Sequence, residues 1–431
     1  DLQHDRDDHG PGVGLVPEEV GHGVAHVATE RVDAGAVGVG ELVGLGADGR
    51  AGLLHELLVG AEGDAAARDL DGRHVLALAG DAAIGITLDG LPAGFKVDME
   101  QIKSDMDKRK ATGKISTQRH EADEVHILSG MYNGYTTGTA LTILIENQNT
   151  KSKDYSAFHG RLRPGHADFT AFEKYNGYQD YRGGGHFSGR LTACIVAAGS
   201  ICRQILKSQG IVIGSHIESL YTLSDIPFSQ DSRVLEKQIQ EVNDKTFAVI
   251  DDQVKDQMIQ EIEKAAAEGD SLGGILETAI IGLPAGLGEP FFDSVESILS
   301  HLIFSVPAVK GVSFGEGFGF AKLKGSQAND AFRFNDKIET KTNHNAGING
   351  GITNGMPILI HTCIKPTPSI FKTQESVDYL SKENVNLKIQ GRHDPCILHR
   401  ARIVVDSIVA FGLLDLYMSR LAIKPLQGDF E

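Results

Sequence analysis

Two segments of this 431-residue chain carry the residue types of an anion site. The first runs Arg161-Leu162-Arg163-Pro164-Gly165-His166-Ala167-Asp168 and is followed by Tyr181-Arg182-Gly183-Gly184-Gly185-His186-Phe187-Ser188-Gly189-Arg190. Glycines let backbone N–H groups approach an oxyanion, a guanidinium binds one through two parallel hydrogen bonds, and a helix N-terminus adds positive potential. The second, Gly391-Arg392-His393-Asp394-Pro395-Cys396, sets a cation, an imidazole and a carboxylate at one turn. Such a turn could bind and protonate an anionic substrate. Taken alone it reads better as a turn capped by Asp394 with His393 in solvent. Glycine-rich runs at 315–319, 325–330 and 345–351 suit loops that approach a ligand or another backbone closely. No Walker pattern and no dinucleotide fingerprint accompanies them. His166, Asp168, His186, His393 and Asp394 are metal-ligand types, yet their spacing fits no metal motif, so no metal is expected.

These residues need a scaffold, and apolar periodicity outlines one of mixed α/β class. Ile84 to Leu88 reads as a strand entering the turn Asp89-Gly90-Leu91-Pro92, followed by a polar helix from Asp98 to Lys110. Arg190 to Ser208 puts Leu191, Cys194, Ile195, Ala198, Ile201, Cys202 and Ile205 on one helical stripe. Further helices are expected at 232–244, 252–267, 290–305 and 401–421, and strands at 124–129, 139–146, 211–217, 275–283 and 356–363. Gly134-Tyr-Thr-Thr-Gly-Thr-Ala-Leu-Thr-Ile143 echoes Gly351-Ile-Thr-Asn-Gly-Met-Pro-Ile-Leu-Ile360, which suggests two related halves.

Composition excludes several classes. Hydrophobic residues make up 41% and charged residues 23%, as in globular chains, so neither collagen nor a wholly disordered chain is present. A net charge of −17 argues against a general nucleic-acid or anionic-membrane binder, and any basic site must be local. There is no apolar run of about eighteen residues and no signal pattern at Asp1-Leu2-Gln3-His4-Asp5, so a soluble cytoplasmic protein is expected. Cys194, Cys202, Cys363 and Cys396 form no CxxC and read as buried thiols.

The segments RPGHAD, YRGGG, GLGEP, AVKGVSFGEGF, NGGITNG, KPTPS and GRHDPC, in that order, resemble the chorismate synthase family over Ile84 to about Ala422. The resemblance implies an α/β fold, a β-α-β sandwich with two related halves. It also implies elimination of phosphate from 5-enolpyruvylshikimate 3-phosphate with reduced FMN, giving chorismate without net redox change. By the same resemblance His166 stands beside the leaving phosphate, and Asp394 works with the flavin in removing the ring proton. Arg109, Arg119, Arg163, Arg190 and Arg392 surround the substrate's phosphate and carboxylates, with Lys114 near a position often occupied by Arg. Flavin contacts carry over to His186, Phe187, Ser188, Pro307, Ala308, Gly350, Lys365, Pro366, Thr367, Pro368, Ser369 and Arg392. His186, Phe187 and Pro307 depart from the family's common residues. A homotetramer is implied. No flavin reductase motif is evident, so an external reductant is expected, with NADPH only upstream. The alternative is a catalytically inactive homologue that binds FMN or an anionic metabolite.

Residues 1–83 read as a different text. They contain no Lys, Ile, Ser, Asn, Phe, Tyr, Met or Cys, and carry 16 acidic against 5 basic residues. A low-complexity extension rich in Gly, Ala, Val and Asp can be partly disordered, although 53–58 could make a short helix. His22 and His26 have i,i+4 spacing but lack the glutamate of the zinc-protease motif. The family's Gly-Glu-Ser-His-Gly motif should end near Gly80 and Asp81, where Leu78-Ala79-Gly80-Asp81 stands instead. The expectation is a foreign start, through fusion, frame error or misassembly, that removes an active-site histidine and a core strand and leaves 84–431 as the functional domain.

Overall fold

Alternation of Ile84, Ile86 and Leu88 with Leu141, Ile143 and Ile145 puts six buried side chains on one face of two paired strands. In the computed structural model, which describes residues 64–70, 73–79, 83–111, 113–117, 122–147, 160–179, 185–389, 391 and 393–428, that pair is the heart of one sheet. Its strands are β1 (Asp64–Leu70), β2 (Arg73–Ala79), β3 (Ala83–Leu88), β4 (His126–Ser129) and β7 (Leu141–Glu146), in the order β1-β2-β3-β7-β4. A two-residue ladder of β5 (Met131–Tyr132) and β6 (Tyr135–Thr136) lies in the connection between β4 and β7.

The second sheet has the order β11-β16-β10-β8-β9 and is likewise antiparallel. It is built from β8 (Val212–Leu220), β9 (Leu223–Ser224), β10 (Gly274–Ile281), β11 (Val309–Phe314) and β16 (Ile358–Ile364). Three small hairpins stand apart: β12 (Phe332–Asn335) with β13 (Lys337–Thr340), β14 (Ile348–Asn349) with β15 (Ile352–Thr353), and β17 (Gln374–Asp378) with β18 (Glu383–Leu387). The sequence echo marks matching places in the two halves. In each, a two-residue ladder (β5–β6 or β14–β15) leads directly into a long sheet strand, β7 or β16.

Helices fill the space between the sheets. The chain forms α1 (Met99–Arg109), α2 (Asp168–Tyr175), α3 (Thr192–Ser208), α4 (Ser232–Asp244), α5 (Asp252–Ala267), α6 (Val295–Phe304), α7 (Gly325–Ala328) and α8 (Leu398–Ile423). Helix α3 touches β3 and β7 of one sheet and β8 of the other, while α8 packs on α3, β8 and β10. A β-α-β sandwich results. Because α3 has a sheet on either side, Ala193, Val196, Ala197 and Leu206 are buried together with Cys194, Ala198, Ile201, Cys202 and Ile205 of the expected stripe, while Leu191 and Ile195 are half-buried. Helix α8 is buried almost continuously from Leu398 to Leu416.

Boundaries follow local chemistry. Asp231 and Asp251 accept N–H bonds from the first turns of α4 and α5, which start and stop where periodicity predicts. Helix α6 begins at Val295 instead of 290, because Pro290 and a short 3-10 turn, Phe291–Asp293, precede the Ser294 cap. Helix α8 extends beyond 401–421 at both ends. Cys194, Cys202 and Cys396 are buried as expected, but Cys363 is exposed, an outward position in the alternation of β16.

The expected loss of a core strand is corrected by the structure. Residues Arg73–Ala79 pair antiparallel along β3, from Val75 opposite Leu88 to Ala79 opposite Ile84. A ladder requires only backbone donors and acceptors, so a segment of unusual composition can supply one. The possible helix at 53–58 and the histidines at 22 and 26 lie outside the described residues.

The separation of the central helices is set where α3 crosses α8. A Cβ built on Gly199 would lie 2.3 Å from the Cβ, 2.6 Å from the Cα and 2.6 Å from the carbonyl oxygen of Ser407. Backbone cannot yield as a side chain can, so Gly199→Ala should force the helices apart and cost about 1–3 kcal/mol or more. Urea unfolding of Gly199→Ala and of Gly199→Ala/Ser407→Gly measures this; the double variant should recover part of the loss. Stability of Gly199→Ala equal to that of the parent would refute the close crossing.

Candidate active site

The starts of α3 and α8 open onto one cleft of about 790 Å³, a volume suited to a small-molecule site. Its first wall is the turn that leads into α2. The Arg163 guanidinium grips Asp168 in bidentate fashion, Nε to Oδ2 at 2.9 Å and Nη2 to Oδ1 at 2.7 Å, and the Arg163 backbone N–H donates to the same Oδ2 at 2.8 Å. Burial opposes ionisation of Asp168, but these hydrogen bonds outweigh it and hold the carboxyl below its usual range. Gly165 adopts a left-handed φ of 72°, and a Cβ there would come within 2.9 Å of Pro368. Lys365 Nζ donates to the Gly165 carbonyl at 2.7 Å, which joins this turn to the segment after β16.

His166 follows, its Nε2 lying 2.7 Å from Ser369 Oγ. Burial, and secondarily the Arg163 charge, pushes its pKa down to about 4. The imidazole of the ligand-free cleft is therefore neutral at physiological pH. An arriving phosphate dianion favours the protonated form, so binding such a ligand brings a proton to this ring.

The second wall joins the end of α1 to the start of α3. Asp123 accepts from both Arg109 Nη1, at 3.2 Å, and Arg190 Nη1. Arg109 also donates from Nε to Thr192 Oγ1 at 2.9 Å and from Nη2 to the Gly189 carbonyl at 3.0 Å. Two guanidiniums thus share one carboxylate at a helix N-terminus, leaving net positive charge for an anion.

At the start of α8, Asp394 accepts the Thr117 N–H on Oδ1 at 2.8 Å and Arg400 Nη1 on Oδ2 at 2.6 Å. Arg400 Nε then reaches the Arg109 carbonyl at 2.8 Å. The reading of Asp394 as a turn cap with His393 in solvent is corrected on both counts. The α8 cap residue is Ile397, with no side-chain cap bond, and the half-buried His393 ring lies 5.7 Å from Phe371.

His166, Asp394, Arg109, Arg163, Arg190, His186, Phe187, Ser188, Pro307, Ala308, Lys365, Thr367 and Pro368 all line the cleft. Ser369 lies behind His166, and Pro366 packs against the Gly273 backbone. Gly350 sits in the β14–β15 turn and is not among the lining residues. Arg119 and Arg392 lie outside the described residues, as does the side chain of Lys114. Asp123 and Arg400 escaped the sequence reading, since neither stands in a glycine-rich run. Thr117, Lys110 and Lys310 also line the cleft, though none was given a role from the sequence. No group of three or more His, Cys, Asp and Glu side chains is placed to hold a metal among the described residues.

An imidazole, a carboxylate and several guanidiniums line one cleft in a β-α-β sandwich, an arrangement suited to a small anionic molecule. The chorismate synthase family profile matches residues 79–418. The chain is 44% identical over 336 residues to a chorismate synthase from Dehalococcoides mccartyi, covering 77% of this chain and 91% of that one. It is 41% identical over 341 residues to a chorismate synthase from Thermococcus kodakarensis, covering 79% and 94%. A solved structure titled "Crystal Structure of Chorismate Synthase" aligns with a TM-score of 0.62 and 25% identity, over 81% of this chain and 90% of that one. The chain belongs to the chorismate synthase family.

The state of His166 is directly measurable. In 15N-histidine NMR of the ligand-free protein its ring should titrate near 4, and inorganic phosphate should raise that value toward neutrality. Titration near 6.5 with and without phosphate, assigned with His166→Gln, would contradict the burial argument.

Proposed function

We propose that the chain eliminates phosphate from 5-enolpyruvylshikimate 3-phosphate to form chorismate. The C–O bond to phosphate and a ring C–H bond break, a C=C bond forms, and no net oxidation occurs. Support comes above all from His166 and Asp394 lining a single cleft whose arginines are already set in place. In this reading His166 donates a proton to, or hydrogen-bonds, the departing phosphate. Asp394 removes the ring proton, held near its work by Thr117 N–H and Arg400. Arg109, Arg163 and Arg190, with Arg119 and Arg392, hold the phosphate and two carboxylates. Because Arg109 and Arg190 are partnered by Asp123 and by backbone carbonyls, an arriving anion meets cations that need little reordering.

The cleft fits a flavin as well as the substrate. Half-exposed Phe187 and the Pro307-Ala308 and Thr367-Pro368 segments offer apolar contact, and Lys365 offers a cation for the phosphate end. His186, Ser188, Gly350, Pro366, Ser369 and Arg392 complete the set carried by the resemblance. Reduced FMN, when bound, supplies electron density that is returned by the end of the cycle. The reductant that prepares it is external, with NADPH upstream. A homotetramer in the cytoplasm is part of the same reading. So is the assignment of residues 1–83 as a segment without a catalytic role, and the missing histidine should lower turnover.

Anaerobic incubation of the full chain with reduced FMN and 5-enolpyruvylshikimate 3-phosphate should give chorismate and phosphate in equal amounts. Asp394→Asn should reduce kcat by about 10²–10⁴-fold, the usual contribution of a positioned acid or base. A flavin spectral shift without product would favour the inactive homologue that binds FMN or an anionic metabolite.

A further inference from the structure

The two donors that fix Asp394 come from residues directly following two buried side chains in contact with each other. Ser116 Oγ lies 2.7 Å from His399 Nε2. Thr117, next after Ser116, donates its N–H to Asp394 Oδ1 at 2.8 Å, and Arg400, next after His399, donates to Oδ2 at 2.6 Å. His399 is 2% exposed, in the first turn of α8, and its ring stacks on Phe247 with centroids 6.1 Å apart and planes 21° from parallel.

An imidazole is an expensive way to fill this space. Its Nδ1 is buried without a hydrogen-bond partner, so an apolar side chain of similar size would avoid a desolvation cost. What the ring provides in return is the bond from Nε2 to Ser116. Burial, followed by the neighbouring Arg400 charge, lowers the His399 pKa to about 4, so the ring is neutral and adds no charge beside the carboxylate.

We propose that Ser116 and His399 form a positioning clamp for Asp394, locking the 113–117 segment to the start of α8 so that Thr117 N–H stays on one carboxylate oxygen while Arg400 stays on the other. Neither residue touches the reacting atoms. The catalytic consequence rests on the reading of Asp394 as the base. Loss of the N–H bond would let the carboxylate shift from its working position.

The test uses the full chain, its Ser116→Ala and His399→Ala variants, and His399→Gln, whose amide nitrogen can replace Nε2. Hydrogen exchange at the Thr117 amide should quicken by about tenfold in Ser116→Ala, the factor that one net hydrogen bond is worth. His399→Ala should do the same, and His399→Gln should restore slow exchange. In anaerobic turnover, Ser116→Ala should lower kcat with KM little changed, with His399→Gln again close to the parent. Unchanged Thr117 exchange in Ser116→Ala overturns the clamp, as does an unchanged kcat. Ser116→Ala removes a single oxygen, so the test survives a folding failure of His399→Ala. If the parent chain makes no chorismate, the proposed function falls on its own, and the exchange measurement still decides the clamp.

Discussion

The contact between Gly199 and Ser407 governs the placement of the functional groups. Without a Cβ at Gly199, α3 approaches the α8 backbone closely enough for one helix layer to meet both sheets. The same crossing brings the starts of the two helices to a common opening. Arg190 and Thr192 stand at one start, and Asp394 and Arg400 at or just before the other. Arg400 spans the gap by donating to the Arg109 carbonyl, at the end of α1. A change in helix separation would therefore be felt first at these hydrogen bonds.

The second organising feature is how a chain of net charge −17 maintains a cationic cleft. Each arginine described there has a carboxylate within reach: Asp168 for Arg163, Asp123 for Arg109 and Arg190, Asp394 for Arg400 and, at 3.9 Å, Asp378 for Arg161. Such pairing limits the cost of holding charge in a half-buried place and fixes the guanidinium planes before a ligand arrives. His166 is neutral first because it lies away from bulk water and second because the Arg163 charge is close.

Much of this organisation was legible in the sequence where signals were local. Helices α4 and α5 carry their own caps and periodicity, and the strands β3, β7 and β16 carry apolar side chains at alternate positions. The motif residues His166, Asp394 and Arg190 indeed line one cleft. What the sequence could not reveal depends on contacts between distant segments. Asp123 gains its importance only because α1 and α3 deliver two arginines to it, and Ser369 only because the segment after β16 passes behind His166. The hairpin β12–β13 alternates Phe332 and Phe334 with polar residues but leaves them exposed, and β17–β18 is mostly polar, so neither was announced by a core-facing pattern. Strand β2 was missed because composition suggested a foreign text, whereas sheet pairing asks only for an extended backbone.

The assignment of roles within the cleft can be put to one decisive measurement, the crystal structure of the full chain with FMN and 5-enolpyruvylshikimate 3-phosphate bound. The substrate phosphate should lie about 3 Å from the His166 ring, within hydrogen-bond reach, with the carbon that loses its proton facing Asp394. A phosphate seated on Arg109 and Arg190, with His166 left on Ser369 alone, would contradict the assignment.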